Sequence, residues 1–258
     1  MTGTASVRDV LEAFREGRIS REEAERLIDG LRVEMVGDLA RLDLGRSARC
    51  GMPEVVLAEG KETGQLTAIL TRYLEVSGRC IATRVNPEQE KEIERLCAEA
   101  GAGCRVNKEA RAVVLWTSPP KEKHGGLVGI ITAGTSDIQV AEEARVIAEE
   151  MGCEVRTAYD VGAAGIHRLF PALKDLLGVH VFIVAAGREG TLPAVVAGLV
   201  DRPVIGVPVS TGYGYMGKGE AALASMLQSC AVLAVVNIDA GFVAGAHAAR
   251  IAEMVASK

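Results

Sequence analysis

Aromatic side chains are scarce in this chain: Phe, Tyr and Trp together make up 3% of 258 residues, with a single Trp. That argues against an aromatic-rich binding module. Positive charge is also short, since the formal net charge is −5, and a general nucleic-acid binder needs a basic patch to neutralise phosphates. A small anionic ligand stays open, because backbone N–H groups can hold one without net protein charge. The four histidines (His124, His167, His180, His247) lie beside no cysteine at zinc-site spacing. The six cysteines (Cys50, Cys80, Cys97, Cys104, Cys153, Cys230) form no CxxC pair. A chain of this length does not call for a disulfide framework, so a reducing, cytoplasmic compartment is expected. "MTGTASVRDVLEAFREGR" carries charge throughout and has no apolar h-region, so no signal peptide is expected. Residues 221–238 run without a charge, but they contain Gln228, Ser229 and Asn237 and change period midway. They read as helix then strand, and no membrane span is expected.

What is present is small and aliphatic: 48% hydrophobic residues with 29 glycines, a composition suited to close helix-on-sheet packing. Residues 1–33 read as a helical hairpin, with Ser20 and Glu23 as a capping box for its second helix. Residues 34–120 read as an α+β domain, including a helix capped by Asn86 with Pro87 at its first position, and then paired strands. "SPPKEKHGG" (118–126) reads as the linker. Residues 121–258 then alternate strictly between short apolar runs ("GLVGIIT", "CEVRTAYD", "VHVFIVAAG", "RPVIGVPVS", "AVLAVVNID") and helical segments at 136–151, 164–177, 190–200, 217–229 and 241–256. Continuous apolar strands separated by helices predict a doubly wound α/β domain, its parallel sheet covered on both faces. Ligands in such sheets bind beyond the carboxyl ends of the strands.

Each predicted strand is followed by glycine with hydroxyl, carboxylate or amide groups: "TAGTSD", "TAYDVGAAGIHR", "AAGREGTLP", "GVPVSTGYGYMGKG" and "NIDAG". Thr135, Ser136 and Asp137 stand at a helix start, where they either cap the helix or, behind Gly134, cradle a phosphate or ribose. Arg188 and Glu189 sit between Gly187 and Gly190, as a solvated pair or as a carboxylate placed to position water or move a proton. Asp160, Gly162 and His167 come from the second loop and Asn237 and Asp239 from the last; each has a structural role open to it as well as ligand contact, Asp239 as a cap on the final helix. Cys230 precedes the last strand, so it need not face the edge carrying the loops. Spacing alone leaves it between a small core thiol and a nucleophile.

"AGTSD" resembles the SGSxSD phosphate loop of the purine-pathway aminoimidazole ribonucleotide carboxylases and mutases, and "AAGREGTLPAVVAGLVDRPVIGVPV" resembles their GGAAHLPG segment and following strand. That resemblance covers about 127–258 and breaks at two points. Tyr159 stands at the family's SAHR histidine and Thr191 at its HLPG histidine, which makes the purine reaction itself improbable. "DLARLDLGRSARCGMPEVVLAEGK" (38–61), "GIITAGTSDIQVAEEA", "YDVGAAGIHR", "AAGREGTLPAVVAGL", "STGYG" and "SCAVLAVVNIDAGFVAG" together resemble the LarB-type carboxylase/hydrolases of nickel-pincer cofactor biosynthesis.

The resemblance implies carboxylation of nicotinic acid adenine dinucleotide by CO2 at C5 of the pyridinium ring and hydrolysis of its phosphoanhydride, giving pyridinium-3,5-biscarboxylic acid mononucleotide and AMP. It assigns the nucleophilic thiol to Cys230 and a carboxylate to Glu189, either as base at C5 or as activator of water. It also implies magnesium accompanying the dinucleotide on phosphate oxygens, with the metal's protein ligands unknown. Ser136 and Asp137 would hold the ribose-phosphate, and Asp137 is grouped with the catalytic residues. Arg41, Arg46, Arg49 and Lys61 either meet the AMP half or pack between domains. Carboxylases of this fold assemble as octamers, so a homo-octamer is expected by analogy. The same residues leave open a carboxylase acting on another nucleotide, or a nucleotide-binding regulator without turnover.

Overall fold

The computed structural model describes residues 7–37, 40–120, 122–212 and 214–257. The start of the expected hairpin (1–6), Asp38 and Leu39 of the basic segment, Lys121 of the linker, Tyr213 of "STGYG" and the last residue lie outside that description. The chain divides into two compact units, one ending at 106 and including 113–119, the other comprising 107–112 and everything from Pro120 onward.

The first unit opens with α1 (Val7–Arg15) and α2 (Arg21–Asp29). Ser20 caps α2, its Oγ accepting from the Glu23 N–H at 3.1 Å. A short antiparallel pair, β1 (Glu34–Val36) and β2 (Ala40–Leu42), and the single-turn helix α3 (Arg46–Cys50) follow. The remaining elements are β3 (Val55–Leu57), α4 (Thr63–Ser77), β4 (Arg79–Thr83), α5 (Pro87–Ala100), β5 (Gly103–Asn107) and β6 (Ala112–Trp116). They form a four-stranded sheet in the order β3-β4-β6-β5, with β3 and β4 parallel and β4 and β6 antiparallel. Asn86 and Gln89 make the reciprocal cap that opens α5, and Pro87 fills its first turn. Leu66, Leu70, Ile93 and Leu115 are fully buried at the centre of this unit.

The second unit contains β7 (Leu127–Thr132), α6 (Ile138–Glu150), β8 (Glu154–Ala158), α7 (Leu169–Asp175), β9 (Val181–Ala186), α8 (Thr191–Ala197), β10 (Val204–Pro208), α9 (Glu220–Leu227), β11 (Ala234–Val235) and α10 (Gly241–Ala256). The sheet is entirely parallel in the order β11-β10-β9-β7-β8, so the domain is a doubly wound α/β fold. β9 and β10 are buried at every residue and β7 at all but its first, as continuous apolar runs require. Two expectations need correction. β8 is not covered on both faces: it is an edge strand paired only with β7, and Glu154, Arg156 and Thr157 are exposed. The last strand is two residues long and not nine, because Val232 is 92% exposed before it and the chain turns at 238–239 after it.

α10 packs on α6 at very close range. A Cβ on Gly241 would stand 2.3 Å from the Val140 carbonyl oxygen, and one on Gly245 2.4 Å from that of Ala144. The two glycines and their two partners are each four residues apart, so they line one face of each helix. Glu143, buried at this contact, accepts the Phe242 N–H at 3.2 Å through its Oε2 and so caps α10 from another helix. Gly245→Val forces the helices apart. It is expected to cost about 1–3 kcal/mol, read as a lower urea midpoint with an unchanged slope.

Candidate active site

Because the five strands of the second unit run parallel, the loops that follow them share one edge of the sheet. The backbone there is unusual. Asp160, Arg188, Met216, Lys218 and Asp239 all lie at positive φ, between 51° and 59°, a region costly for residues other than glycine. These conformations persist because side chains fasten one loop to the next. Thr132 Oγ1 at the end of β7 accepts the Asp160 N–H at 3.0 Å. Asp137 Oδ2 accepts the Gly134 N–H at 2.8 Å, and its Oδ1 accepts the Gly187 N–H at 3.2 Å. Asp239 Oδ1 accepts the Ser210 N–H at 2.9 Å.

Within this frame the phosphate-loop candidates separate. A 3₁₀ turn at Thr135–Asp137 leads into α6. Thr135 and Ser136 are exposed at a helix start whose N–H groups have no intrahelical acceptor. Asp137 instead turns inward and is 3% exposed. Burial pushes its carboxyl pKa up, opposed by the N–H groups of Gly134 and Gly187.

Beside this turn, a cavity of about 280 Å³ opens between the loops after β9 and β10. Arg188, Glu189, Gly212, Tyr215, Met216 and Gly219 line it. Glu189 sits in a tight turn closed by the Gly190 N–H donating to Gly187 O at 2.9 Å. Gly190, at φ 65°, lies against α9, where a Cβ would come within 2.6 Å of the Ala222 carbonyl oxygen. Tyr215 is 93% exposed at the mouth of the cavity. Tyr215 and Met216 are not among the residues expected from the sequence, although the pair stands between Gly214 and Gly217 in a loop that follows a strand.

The other expected residues are placed as follows. Gly162 packs against the first loop, a Cβ there falling 2.6 Å from Ala133 O. Asp160 pairs with Arg168 at 2.9 Å, both largely exposed, a contact worth about 0–1 kcal/mol. His167 is exposed in the 3₁₀ segment that precedes α7. Asn237 is exposed and its Oδ1 accepts the Ile238 N–H. Asp239 does not cap the last helix, since Glu143 takes that role. Tyr159 donates its hydroxyl to Glu142. Glu142 also accepts from Asn107 Nδ2 at 2.6 Å and from Arg145 Nη1 at 3.2 Å. Burial and the Glu142 carboxylate raise the Tyr159 pKa well above its ordinary value, so this phenol is a clamp and not a proton carrier.

Cys230 is exposed on the connection from α9 into β11. It enters the sheet at the amino end of a strand, whereas Glu189 leaves at a carboxyl end, so one chain does not bring the two together. The remaining cysteines are also free, and Cys80, Cys97 and Cys153 are buried. Burial lifts the Cys80 and Cys104 thiols to about 12, which makes them poor nucleophiles. In the first unit Arg46 and Arg49 are occupied by Glu54 and Asp43, at 3.2 and 3.1 Å. Among the described residues no group of three or more His, Cys, Asp or Glu could hold a metal ion, and no helix is long and apolar enough to cross a membrane.

Comparison with known proteins agrees with this architecture. Residues 33–118 match the LarB/PurE-like N-terminal domain and residues 127–258 the AIR carboxylase family. An uncharacterized protein of Methanocaldococcus jannaschii is 44% identical over 97% of this chain and 98% of its own length. A probable N5-carboxyaminoimidazole ribonucleotide mutase of Methanothermobacter thermautotrophicus is 35% identical over 48% of this chain and 37% of its own. The corresponding mutase of Thermotoga maritima is 38% identical over 33% of this chain and 50% of its own. The chain belongs to the AIR carboxylase family, a class of carboxylases and mutases, and carries the LarB/PurE-like N-terminal domain.

The buried Asp137 carboxyl gives a signed expectation. Its folded pKa is raised, so the stability tied to its protonation is present below the ordinary carboxyl range and lost as pH rises through the raised value. The stability of the native sequence relative to Asp137→Asn should therefore fall as pH rises from the ordinary carboxyl range toward neutrality. Urea unfolding at both ends of that range measures the difference.

Proposed function

We propose that this protein carboxylates C5 of the pyridinium ring of nicotinic acid adenine dinucleotide and hydrolyses the phosphoanhydride. The products are pyridinium-3,5-biscarboxylic acid mononucleotide and AMP. The observation that carries the reading is the cavity on the carboxyl edge, which is lined by one carboxylate, Glu189, and lacks both purine-pathway histidines. Tyr159 is clamped at one of those positions and Thr191 stands at the other. Removing both leaves the site without the groups that position would use for proton transfer, so the chemistry must come from elsewhere.

A pyridinium ring is electron-poor, and its C5 does not attack CO2 unaided. Addition of a Cys230 thiolate at C4 forms a C–S bond, breaks aromaticity and makes C5 enamine-like. C5 then attacks CO2, a base takes the C5 proton, and expulsion of the thiolate restores the ring. Glu189 is the base available in the cavity, for that proton or for the water that cleaves the anhydride. Arg188 and the exposed Thr135–Ser136 turn suit the phosphates, and magnesium enters only with the substrate's own phosphate oxygens. Since Cys230 sits at the amino end of β11, the reading takes it from a neighbouring copy in a cytoplasmic homo-oligomer, expected to be an octamer.

Incubation with the dinucleotide, bicarbonate and magnesium should release AMP and add the mass of one carboxylate to the pyridine mononucleotide. Binding with neither product would leave a regulator and sink the proposal; the same products from another nucleotide would move the substrate. Cys230→Ala should abolish carboxylation with dinucleotide affinity kept within about threefold, and Glu189→Gln should lower turnover by about 10²–10⁴. Mixing and reassembling those two inactive variants should restore up to about a quarter of the native activity, because half the thiols meet half the carboxylates. No recovery would place both residues in one chain's site.

A further inference from the structure

Asp137 was expected among the catalytic or ribose-binding groups, and its surroundings point to a different task. Its side chain is 3% exposed, and each carboxylate oxygen already accepts a backbone N–H, from Gly134 at 2.8 Å and from Gly187 at 3.2 Å. The carboxylate thus bridges the loop after β7 and the loop after β9. Gly187 is the first residue beyond β9 and also accepts the Gly190 N–H at 2.9 Å, which closes the turn holding Arg188 and Glu189. The far end of that turn is held where Gly190 abuts Ala222. The near end is held by Asp137 and by close packing: a Cβ on Gly187 would stand 3.3 Å from Asp137 Oδ1 and 3.3 Å from Val209 O. The next loop leans on the same place, since a Cβ on Gly212 would stand 2.9 Å from the Arg188 nitrogen.

We infer that Asp137 is a positioning residue: its carboxylate fastens Gly187 and so aims the Arg188–Glu189 turn into the cavity, while Thr135 and Ser136, and not Asp137, meet the ligand. A carboxylate suits this place because it has acceptors on two sides and no donor, matching two N–H groups that face each other across the gap between loops. The amide of asparagine has one acceptor and one donor, so one of the two N–H groups would then face an N–H. The turn is thereby loosened without removing volume. The inference rests on the reading of Glu189 as the working carboxylate of this site.

The test compares the full-length native protein with Asp137→Asn and, approaching the same contact from the other side, Gly187→Ala. Three quantities are read: calorimetric affinity for nicotinic acid adenine dinucleotide, turnover as AMP release, and amide exchange at Gly187 by nuclear magnetic resonance. Both variants should keep affinity within about threefold and lose turnover about 10- to 100-fold, the scale expected of a misplaced catalytic group. The double variant should lose little more than either single one, because both break one contact. In Asp137→Asn the Gly187 amide should exchange faster while the amides of β9 keep their protection. A drop in affinity that accounts for the lost activity would make Asp137 a ligand and overturn the inference, as would unchanged exchange at Gly187. If Asp137→Asn does not fold, Gly187→Ala carries the affinity and turnover arms alone. If the native protein shows no turnover, the functional reading fails, while affinity and exchange still decide the role of Asp137.

Discussion

The carboxyl edge of the parallel sheet depends on one recurring interaction: a side-chain oxygen of one loop or strand end accepting the backbone N–H of a neighbouring loop. A strand that leaves a parallel sheet stops exchanging ladder hydrogen bonds, yet its next N–H is still partly buried and cannot be left unpaired without cost. Thr132, Asp137 and Asp239 supply the acceptors, reaching Asp160, Gly187 and Ser210. Among the described residues no buried side-chain nitrogen or oxygen is left without a partner. Satisfying the strand exits in this way turns five separate loops into one surface and holds strained residues such as Arg188 and Asp239 at positive φ.

The same economy governs the loop after β8. Tyr159 has its hydroxyl bound by Glu142, itself engaged with Asn107 and Arg145. A buried carboxylate with three charged or polar partners is stable only as a complete set. Tyr159 is therefore committed to structure, while Glu189 lines the open cavity between the loops after β9 and β10. The glycines around that cavity are there for closeness: Gly190 on Ala222 and Gly212 on Arg188 leave no room for a Cβ.

The parallel sheet and its order of elements were legible from continuous apolar runs alternating with helical segments, because burial on both faces removes the need for polar alternation. The last helix, 241–256, was read at its observed bounds. β8 and β11 are the two edge strands, each with one neighbour. In β8 the polar residues Glu154, Arg156 and Thr157 already mark a strand with an open side, whereas the apolar run around β11 carries no such mark and only the tertiary structure shows how little of it pairs. The loops after the strands were legible as polar and glycine-rich, and Asp137, Glu189 and Cys230 stood out in the sequence, their roles coming only from the resemblance to the carboxylases.

By itself the sequence determined the chemical inventory, the parallel architecture and the edge on which polar groups gather, since these follow from periodicity and from chain direction in a parallel sheet. The tertiary structure alone decided which polar groups face the cavity and which serve the frame. Asp137 and Glu189 are both acidic residues in glycine-rich strand exits, yet one is buried with both oxygens bound and the other lines open space. That difference arises from which loop packs on which, a long-range relation between residues 50 positions apart. Cys230 shows the same division. Its thiol and its place before the last strand are evident in the sequence, whereas its exposure on the connection from α9 into β11 is a property of the tertiary structure.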